Sequence, residues 1–207
     1  DYNSVSTIFK KHSVTSVIHF AGLKSIADSF KMPNEYFSVN IGGSVNLLNV
    51  MERNNVNKLI FSSSATVYGT KNLPPWKENM NIDIPNNPYA LSKYVVDNLL
   101  ENFAKRYSNI RIGSLRYFNP IGAHGSGLIG DKIESNKNLL PAIMDYFVTK
   151  KDYLSVYGDD YDTFDGSGVR DYIHVNDLIT GHLSALKFLD NNKGYHLWNL
   201  GSGTGYS

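Results

Sequence analysis

The chain has 207 residues, 42% hydrophobic, 13% aromatic and 19% charged, enough to bury one core and unlike a disordered or collagenous composition. Twenty Lys and Arg against 19 Asp and Glu leave a formal charge of +1, so no global field draws the chain to nucleic acid or to an anionic membrane. Without any cysteine, thiol nucleophiles, disulfide frameworks and cysteinyl metal sites drop out together, and the cytoplasm is the expected compartment. No apolar run approaches the roughly 18 residues of a membrane span, and residues 1–11 lack the layout of a signal peptide.

Val5, Ile8 and Phe9 have helical spacing and lead into Ser16 to Gly22, a short apolar run closed by glycine that predicts a buried strand. Asn34 to Arg53 carries Tyr36, Phe37, Ile41, Leu47, Leu48 and Met51 with helical spacing, interrupted at Gly42-Gly43, and hands over to a strand at Lys58 to Ser63. A proline-bearing loop follows. A third helix then starts at Pro88, behind a capping Asn87, with the stripe Leu91, Val95, Leu99 and Phe103. Ile110 to Tyr117 reads as the next strand, and Phe118 to Gly122 as a turn. Helix and strand alternating three times predict an α/β protein with a parallel sheet. Beyond Pro120 lie a polar loop (Gly122 to Asn138), a short helix from Pro141, a strand at Leu154 to Tyr157 and a loop rich in Gly and Asp up to Arg170, together a smaller lobe. A helix from Val175 to about Leu189 and a strand at Tyr195 to Leu200 complete the pattern, the strand being able to rejoin the first sheet. The chain opens on Asp1 with a helical pattern and no lead-in, as an internal fragment would.

Ligands of an open parallel sheet collect beyond the carboxyl ends of its strands. Three such ends carry marked residues: Phe20-Ala21-Gly22-Leu23-Lys24, Ser62 to Gly69, and Tyr117-Phe118-Asn119-Pro120. Gly22 allows close approach of a flat ligand and Lys24 can meet a phosphate or ribose, or the two are a turn glycine and a solvated lysine. Ser62, Ser63 and Ser64 end a buried strand with three hydroxyls that need partners, or they cap the next loop. No Gly-x-Ser-x-Gly elbow surrounds them, so acyl transfer is set aside. Tyr89 and Lys93 stand four apart on one helix face, where a cation would lower the phenol's pKa and make it a general base; alone, the spacing more often describes an ordinary surface pair. Arg170 can grip phosphate oxygens bidentately or pair with Asp171. His19, His124, His174, His182 and His196 show no ligand spacing, so no metal site is expected. Gly201 to Gly205 tempts a phosphate-loop reading, but no helix follows it before Ser207.

In this order, Phe20 to Lys24, Ser62 to Gly69, Tyr89-Ala90-Leu91-Ser92-Lys93, Leu115 to Gly122 and Gly168 to Val175 resemble the UDP-glucose 4-epimerases, which are extended short-chain dehydrogenase/reductases. The resemblance spans essentially the whole chain and rests on long ordered strings, such as Ser-Ser-Ser-Ala-Thr-Val-Tyr-Gly. It implies a Rossmann-like, doubly wound parallel sheet, here incomplete: residues 1–118 as the NAD-binding domain, rejoined by 172–200, and 119–171 as part of a lobe for the UDP-sugar. Phe20, Ala21, Gly22, Lys24, Asn40, Ser64, Tyr89, Lys93 and Phe118 would contact NAD. Asn119, Asn138, Leu139, Ser155, Val156, Tyr157 and Arg170 would hold the UDP-sugar. Helices 34–53 and 88–105 would pack against their copies in a homodimer. The family's first strand, its glycine-rich pyrophosphate loop and its C-terminal portion have no counterpart here, so the isolated fragment is expected to bind no cofactor. Ala90 stands where a glycine often follows the tyrosine.

The resemblance further implies that the Tyr89 phenolate takes the O4 proton while a hydride passes from C4 to NAD, with Ser64 relaying the proton and Lys93 holding the phenolate and a ribose; the 4-keto sugar then turns over and is reduced on its other face. Ser64-Ala65-Thr66 lacks the carboxylate of the related dehydratases and decarboxylases, which favours plain epimerisation. Two alternatives stand beside it, a 4-epimerase of a UDP-hexosamine, UDP-pentose or UDP-uronate, and a non-catalytic NAD-binding scaffold on the same fold.

Overall fold

A computed structural model describes residues 1–130, 138–150 and 152–207. Residues 131–137 of the expected polar loop lie outside the described residues. The chain divides into two compact units, Asp1–Tyr117 with Gly181–Leu200, and Phe118–Thr180 with Gly201–Ser207.

The first unit is built on a four-stranded parallel sheet. Its strands are β1 (Val17–His19), β2 (Lys58–Ser64), β3 (Arg111–Tyr117) and β6 (Gly194–Leu200), adjacent in the order β1-β2-β3-β6. The apolar runs make strands because both faces are covered. Leu59, Phe61 and Ile112 pack with Leu48 and Met51 of α4 (Gly43–Arg53) and Val96 and Leu100 of α5 (Pro88–Arg106). On the opposite face Ile60 and Leu115 pack with Ala185 and Leu189 of α7 (Val175–Leu189). Each of these buried Leu, Ile, Val, Met and Phe side chains contributes about 1.5–3 kcal/mol relative to exposure. Helices therefore wind on both sides, and the strand at the chain's end joins the sheet parallel to β3, pairing Arg111 with Gly194 through Tyr117 with Leu200. Gly113 lets the two layers close up, since a Cβ there would lie 2.8 Å from Ile60 Cδ1 and 3.1 Å from Trp198 Cζ3.

Helix starts follow the capping residues. Asp1 caps α1 (Tyr2–Lys11), Ser25 caps α2 (Ile26–Lys31), and Asn87 accepts a hydrogen bond from Ala90 N at 2.8 Å at the head of α5, behind Pro88. Contrary to the expectation from sequence, the Gly42-Gly43 pair does not interrupt its helix. α3 (Pro33–Tyr36) runs through one wide π-type turn, Phe37–Gly42, into α4, and both glycines keep ordinary helical angles. The irregularity lies upstream of the glycines, around Asn40.

In the second unit β4 (Asn119–Ile121) pairs in parallel with β5 (Arg170–His174), and β7 (Gly205–Tyr206) pairs antiparallel with β5. Two expectations need correction. The segment after Phe118 is a short strand rather than a free turn, and Leu154 to Tyr157 forms no strand: among the described residues no segment pairs with it, and Val156 and Tyr157 are 75% and 97% exposed. A short helix, α6 (Leu139–Thr149), takes in the one predicted from Pro141.

Candidate active site

Parallel pairing brings the carboxyl ends of β1, β2 and β3 side by side, with His19 opposite Phe61 and Ser64 opposite Tyr117. At this edge the first turns of α5 place Tyr89 and Lys93 inward, 9% and 5% exposed. The Ser64 side chain is near enough to the Tyr89 phenol to lower its pKa in part. Ser64 Oγ in turn accepts from Thr66 Oγ1 at 2.9 Å and Thr66 N at 3.3 Å, so its own proton is free to point at the phenol oxygen. Lys93 Nζ donates to Ser62 O at 2.6 Å and sits 4.9 Å from the centre of the Phe61 ring. Spacing on the helix and the end of a buried strand thus bring Ser64, Tyr89 and Lys93 together.

The expectation that Lys93 holds the phenol's pKa down is not met by the protein alone. Burial raises the Tyr89 phenol, the Ser64 hydrogen bond lowers it in part, and Tyr36, edge-on to Tyr89 at 6.5 Å between ring centres, adds to the rise. The lysine's ammonium is directed instead at a carbonyl and an aromatic face, and its own pKa falls to about 8 through burial, opposed by Asp97.

Beneath this trio lies a buried polar cluster that sequence reasoning missed. Asp97 accepts from Ser63 Oγ at 2.9 Å, Ser114 Oγ at 2.5 Å and Arg116 Nε at 3.1 Å, and both charged residues are at most 5% exposed. Burial pushes the Asp97 carboxyl up, while Arg116, Ser114 and Ser63 pull it down. Asp97 continues the helical face of Tyr89 and Lys93, which is the one sequence signal that pointed to it. A cavity of about 490 Å³ is lined by Tyr94, Asp97, Arg116 and Tyr195, but by neither Ser64 nor Tyr89.

Phe20, Ala21, Gly22 and Lys24 are exposed at the end of β1. Asn40, 4% exposed and within the π-type turn, holds this loop. Its Oδ1 accepts from Leu23 N at 2.8 Å, and its Nδ2 donates to Leu23 O at 3.0 Å and to Ser92 Oγ at 2.9 Å. Ser92 Oγ donates to Tyr89 O at 2.7 Å, tying the loop to the first turn of α5. A Cβ on Gly22 would come within 2.9 Å of Asn40 Oδ1 and 3.9 Å of Lys93 Nζ, so bare backbone is required there. Thr66 and Ser92 were legible only as members of longer strings. His19 donates through Nε2 to Ser44 Oγ at 3.0 Å, because the serine's proton goes to Asn40 O, and burial and Lys93 bring its pKa down to about 4.

In the second unit, Asn119 Nδ2 donates to Asp171 O at 3.0 Å. Arg170 does not pair with Asp171: its Nη1 donates to Val169 O at 2.8 Å, and its side chain is exposed. The Asp171 carboxylate instead grips the turn at residues 202–203, accepting from Ser202 N, Ser202 Oγ and Gly203 N at 2.7–2.9 Å. Asn138 precedes α6 and Leu139 opens it, 54% exposed. Ser155, Val156 and Tyr157 lie on the irregular exposed segment, and Phe118 begins the unit. Among the described residues no group of three or more His, Asp or Glu could hold a metal, and no helix is long and apolar enough to cross a membrane.

Known proteins resemble the chain throughout its length. UDP-glucose 4-epimerase of Yersinia enterocolitica is 50% identical over 208 residues, covering 100% of this chain and 61% of the relative. That of Bos taurus is 44% identical, covering 100% and 60%. The chain therefore spans about three-fifths of the length of these curated relatives. Among solved structures, the enzyme from Stenotrophomonas maltophila with bound NAD and formylated UDP-arabinopyranose superposes with a TM-score of 0.93 at 42% identity, and that from Bifidobacterium longum in complex with NAD+ and UDP with 0.92 at 44%. Each covers 100% of this chain, which covers 62% of theirs. The NAD dependent epimerase/dehydratase family matches residues 1–201, and the chain belongs to that family.

Proposed function

We propose that the protein is a UDP-glucose 4-epimerase, interconverting UDP-glucose and UDP-galactose through a transient 4-keto sugar. The observation that carries this reading is the grouping of Ser64, at the end of β2, with the buried Tyr89, whose pKa Ser64 lowers in part, and Lys93 one helical turn on, at the carboxyl edge of a parallel sheet. The residues present fit NAD. Gly22 supplies bare backbone beside Lys93, Phe20 an exposed ring and Lys24 an exposed side chain, and Asn40 keeps the loop in place. Phe118 is included among the cofactor contacts by the family resemblance. When bound, NAD supplies the acceptor and later the donor of a hydride, and a positive ring charge that favours a phenolate.

The chain's own residues handle the proton. Tyr89 takes it from the sugar O4 hydroxyl and returns it at the end of the turnover. Ser64, its oxygen supplied with donors by Thr66 and its side chain beside the phenol, passes the proton between O4 and Tyr89. Lys93, fixed to the Ser62 carbonyl, provides the positive charge that stabilises the phenolate once the site is loaded. Arg170 and Asn119 hold the nucleotide diphosphate, with Asn138, Leu139, Ser155, Val156 and Tyr157 completing the sugar-nucleotide contacts. Binding through UDP leaves the hexose free to present either face. The protein acts in the cytoplasm as a homodimer, joined through residues 34–53 and 88–105. The dimer is supported by Val39 and Val45, 46% and 36% exposed within the first of these segments.

The test is conversion of UDP-galactose by the protein expressed from its whole reading frame, with UDP-N-acetylgalactosamine and a UDP-pentose assayed in parallel and products separated by anion exchange. UDP-glucose is the expected product. Turnover of the amino or pentose sugars alone would move the assignment to another 4-epimerase, and no turnover of any of them would overturn it.

A further inference from the structure

The string Gly201 to Gly205, which reads like a phosphate loop, already holds an acidic group, and that group is the protein's own. Within the second unit the Asp171 carboxylate accepts from Ser202 N at 2.7 Å, Ser202 Oγ at 2.8 Å and Gly203 N at 2.9 Å. Consecutive amides converging on one carboxylate form an anion-binding concavity, and Gly203, at φ +79°, supplies the left-handed residue of the turn. The fit is close: a Cβ on Gly201 would lie 2.5 Å from Asp171 Oδ2 and 3.1 Å from Phe118 Cδ2. Directly after this turn β7 pairs with β5, Asp171 opposite Gly205 and Arg170 opposite Tyr206. On the other side of β5, towards β4, the Asp171 carbonyl accepts from Asn119 Nδ2 at 3.0 Å.

Asp171 therefore sits between the two residues read as holding the diphosphate, Arg170 beside it on β5 and Asn119 across from it on β4. We propose that Asp171 is a positioning residue for the nucleotide. Its carboxylate seats the turn and β7 against β5, which sets the backbone from which the Arg170 guanidinium extends and the carbonyl on which Asn119 is held. Both oxygens are engaged, Oδ1 by Ser202 and Oδ2 by Gly203, so Asp171 acts through its neighbours rather than on the nucleotide. The same engagement explains why Arg170 and Asp171 do not close on each other, Arg170 Nη1 donating to Val169 O instead. The inference rests on the reading of Arg170 and Asn119 as nucleotide contacts.

The test is calorimetric binding of UDP and turnover of UDP-galactose in the whole protein loaded with NAD. Asp171→Ala removes all three bonds to the turn. It is expected to raise the Kd for UDP and the KM about tenfold, with kcat at saturation and bound NAD within about twofold. A merely structural role would lower the folded fraction and leave the KM of the folded enzyme unchanged. Asp171→Asn keeps the side-chain volume and one acceptor oxygen, so it should weaken UDP by only about threefold, and it decides the matter if the Ala variant fails to fold. A second measurement needs no ligand. The Ser202 and Gly203 amides should exchange their hydrogens slowly in the wild type and about tenfold faster in Asp171→Ala. Unprotected wild-type amides, a wild-type Kd in the Asp171 variants, or a loss confined to kcat would overturn the proposal. Arg170→Ala separates it from the reading beneath it. UDP weakened by Arg170→Ala but by neither Asp171 variant defeats the positioning role alone, whereas UDP bound at full strength by Arg170→Ala defeats the nucleotide reading and the proposal with it.

Discussion

Asn40 clamps Leu23 from both sides, its amide oxygen accepting from the Leu23 N–H at 2.8 Å and its amide nitrogen donating to the Leu23 carbonyl at 3.0 Å. The clamp makes one side chain in a π-type turn responsible for the shape of the loop that follows β1, and Ser92 extends its hold to the backbone of Tyr89. Such turns recur at functional sites because the extra residue re-aims a side chain.

Replacing Asn40 with Ala removes three hydrogen bonds at a position 4% exposed. The expected loss of stability is about 1–3 kcal/mol by urea denaturation, with a lower content of bound NAD in the purified protein. An unchanged denaturation midpoint together with full NAD content would show that the loop does not depend on the clamp.

The Asp97–Arg116 pair predicts strong coupling. Each charge is buried against the other, with Ser63 and Ser114 completing the carboxylate's partners. Asp97→Leu or Arg116→Met alone strands a buried charge and should cost about 3–5 kcal/mol. The double variant should cost clearly less than the sum, since no unpaired charge remains. Additive losses in urea would show that the two side chains act independently.

Lys93 predicts a pH dependence of stability. Its pKa is about 8 in the fold against an ordinary value of 10.5, so between these values the unfolded chain binds the extra proton. Stability contributed through Lys93 therefore rises with pH from about 8 to about 10.5, by up to roughly 3 kcal/mol, and is at its lowest below pH 8. Above about 10 the buried phenols Tyr89 and Tyr117, whose pKa values are raised, oppose the rise. Comparing wild type with Lys93→Met isolates the lysine: the curves should diverge from pH 8 upward, and parallel curves would contradict its burial as an amine.

Much of this was legible in the chain. Asn87-Pro88 marks the start of α5, and the apolar run ending at Leu200 marks the strand that returns to the sheet, because caps and double-sided burial leave local signatures. Strand β5 left no such mark because Arg170, Asp171 and His174 break the alternation, and a two-partner strand in a small sheet needs little apolar surface. Leu154 to Tyr157 has the composition of a strand but no partner to pair with among the described residues. The Tyr89–Lys93 spacing was visible, yet where the ammonium goes depends on the Ser62 carbonyl, contributed by a strand 31 positions earlier. Burial, which sets the sign of the Tyr89 shift, arises only from tertiary packing with Tyr36 and Ser64.

The most direct measurement is the epimerisation rate of Tyr89→Phe beside wild type, both from the whole reading frame and both assayed for bound NAD and for thermal unfolding. The expected rate is lower by at least about a thousandfold, with the cofactor still bound and the fold intact, because in the proposed reaction the O4 proton, relayed by Ser64, comes to rest on the phenol oxygen. A rate within a few-fold of wild type would contradict that role for Tyr89.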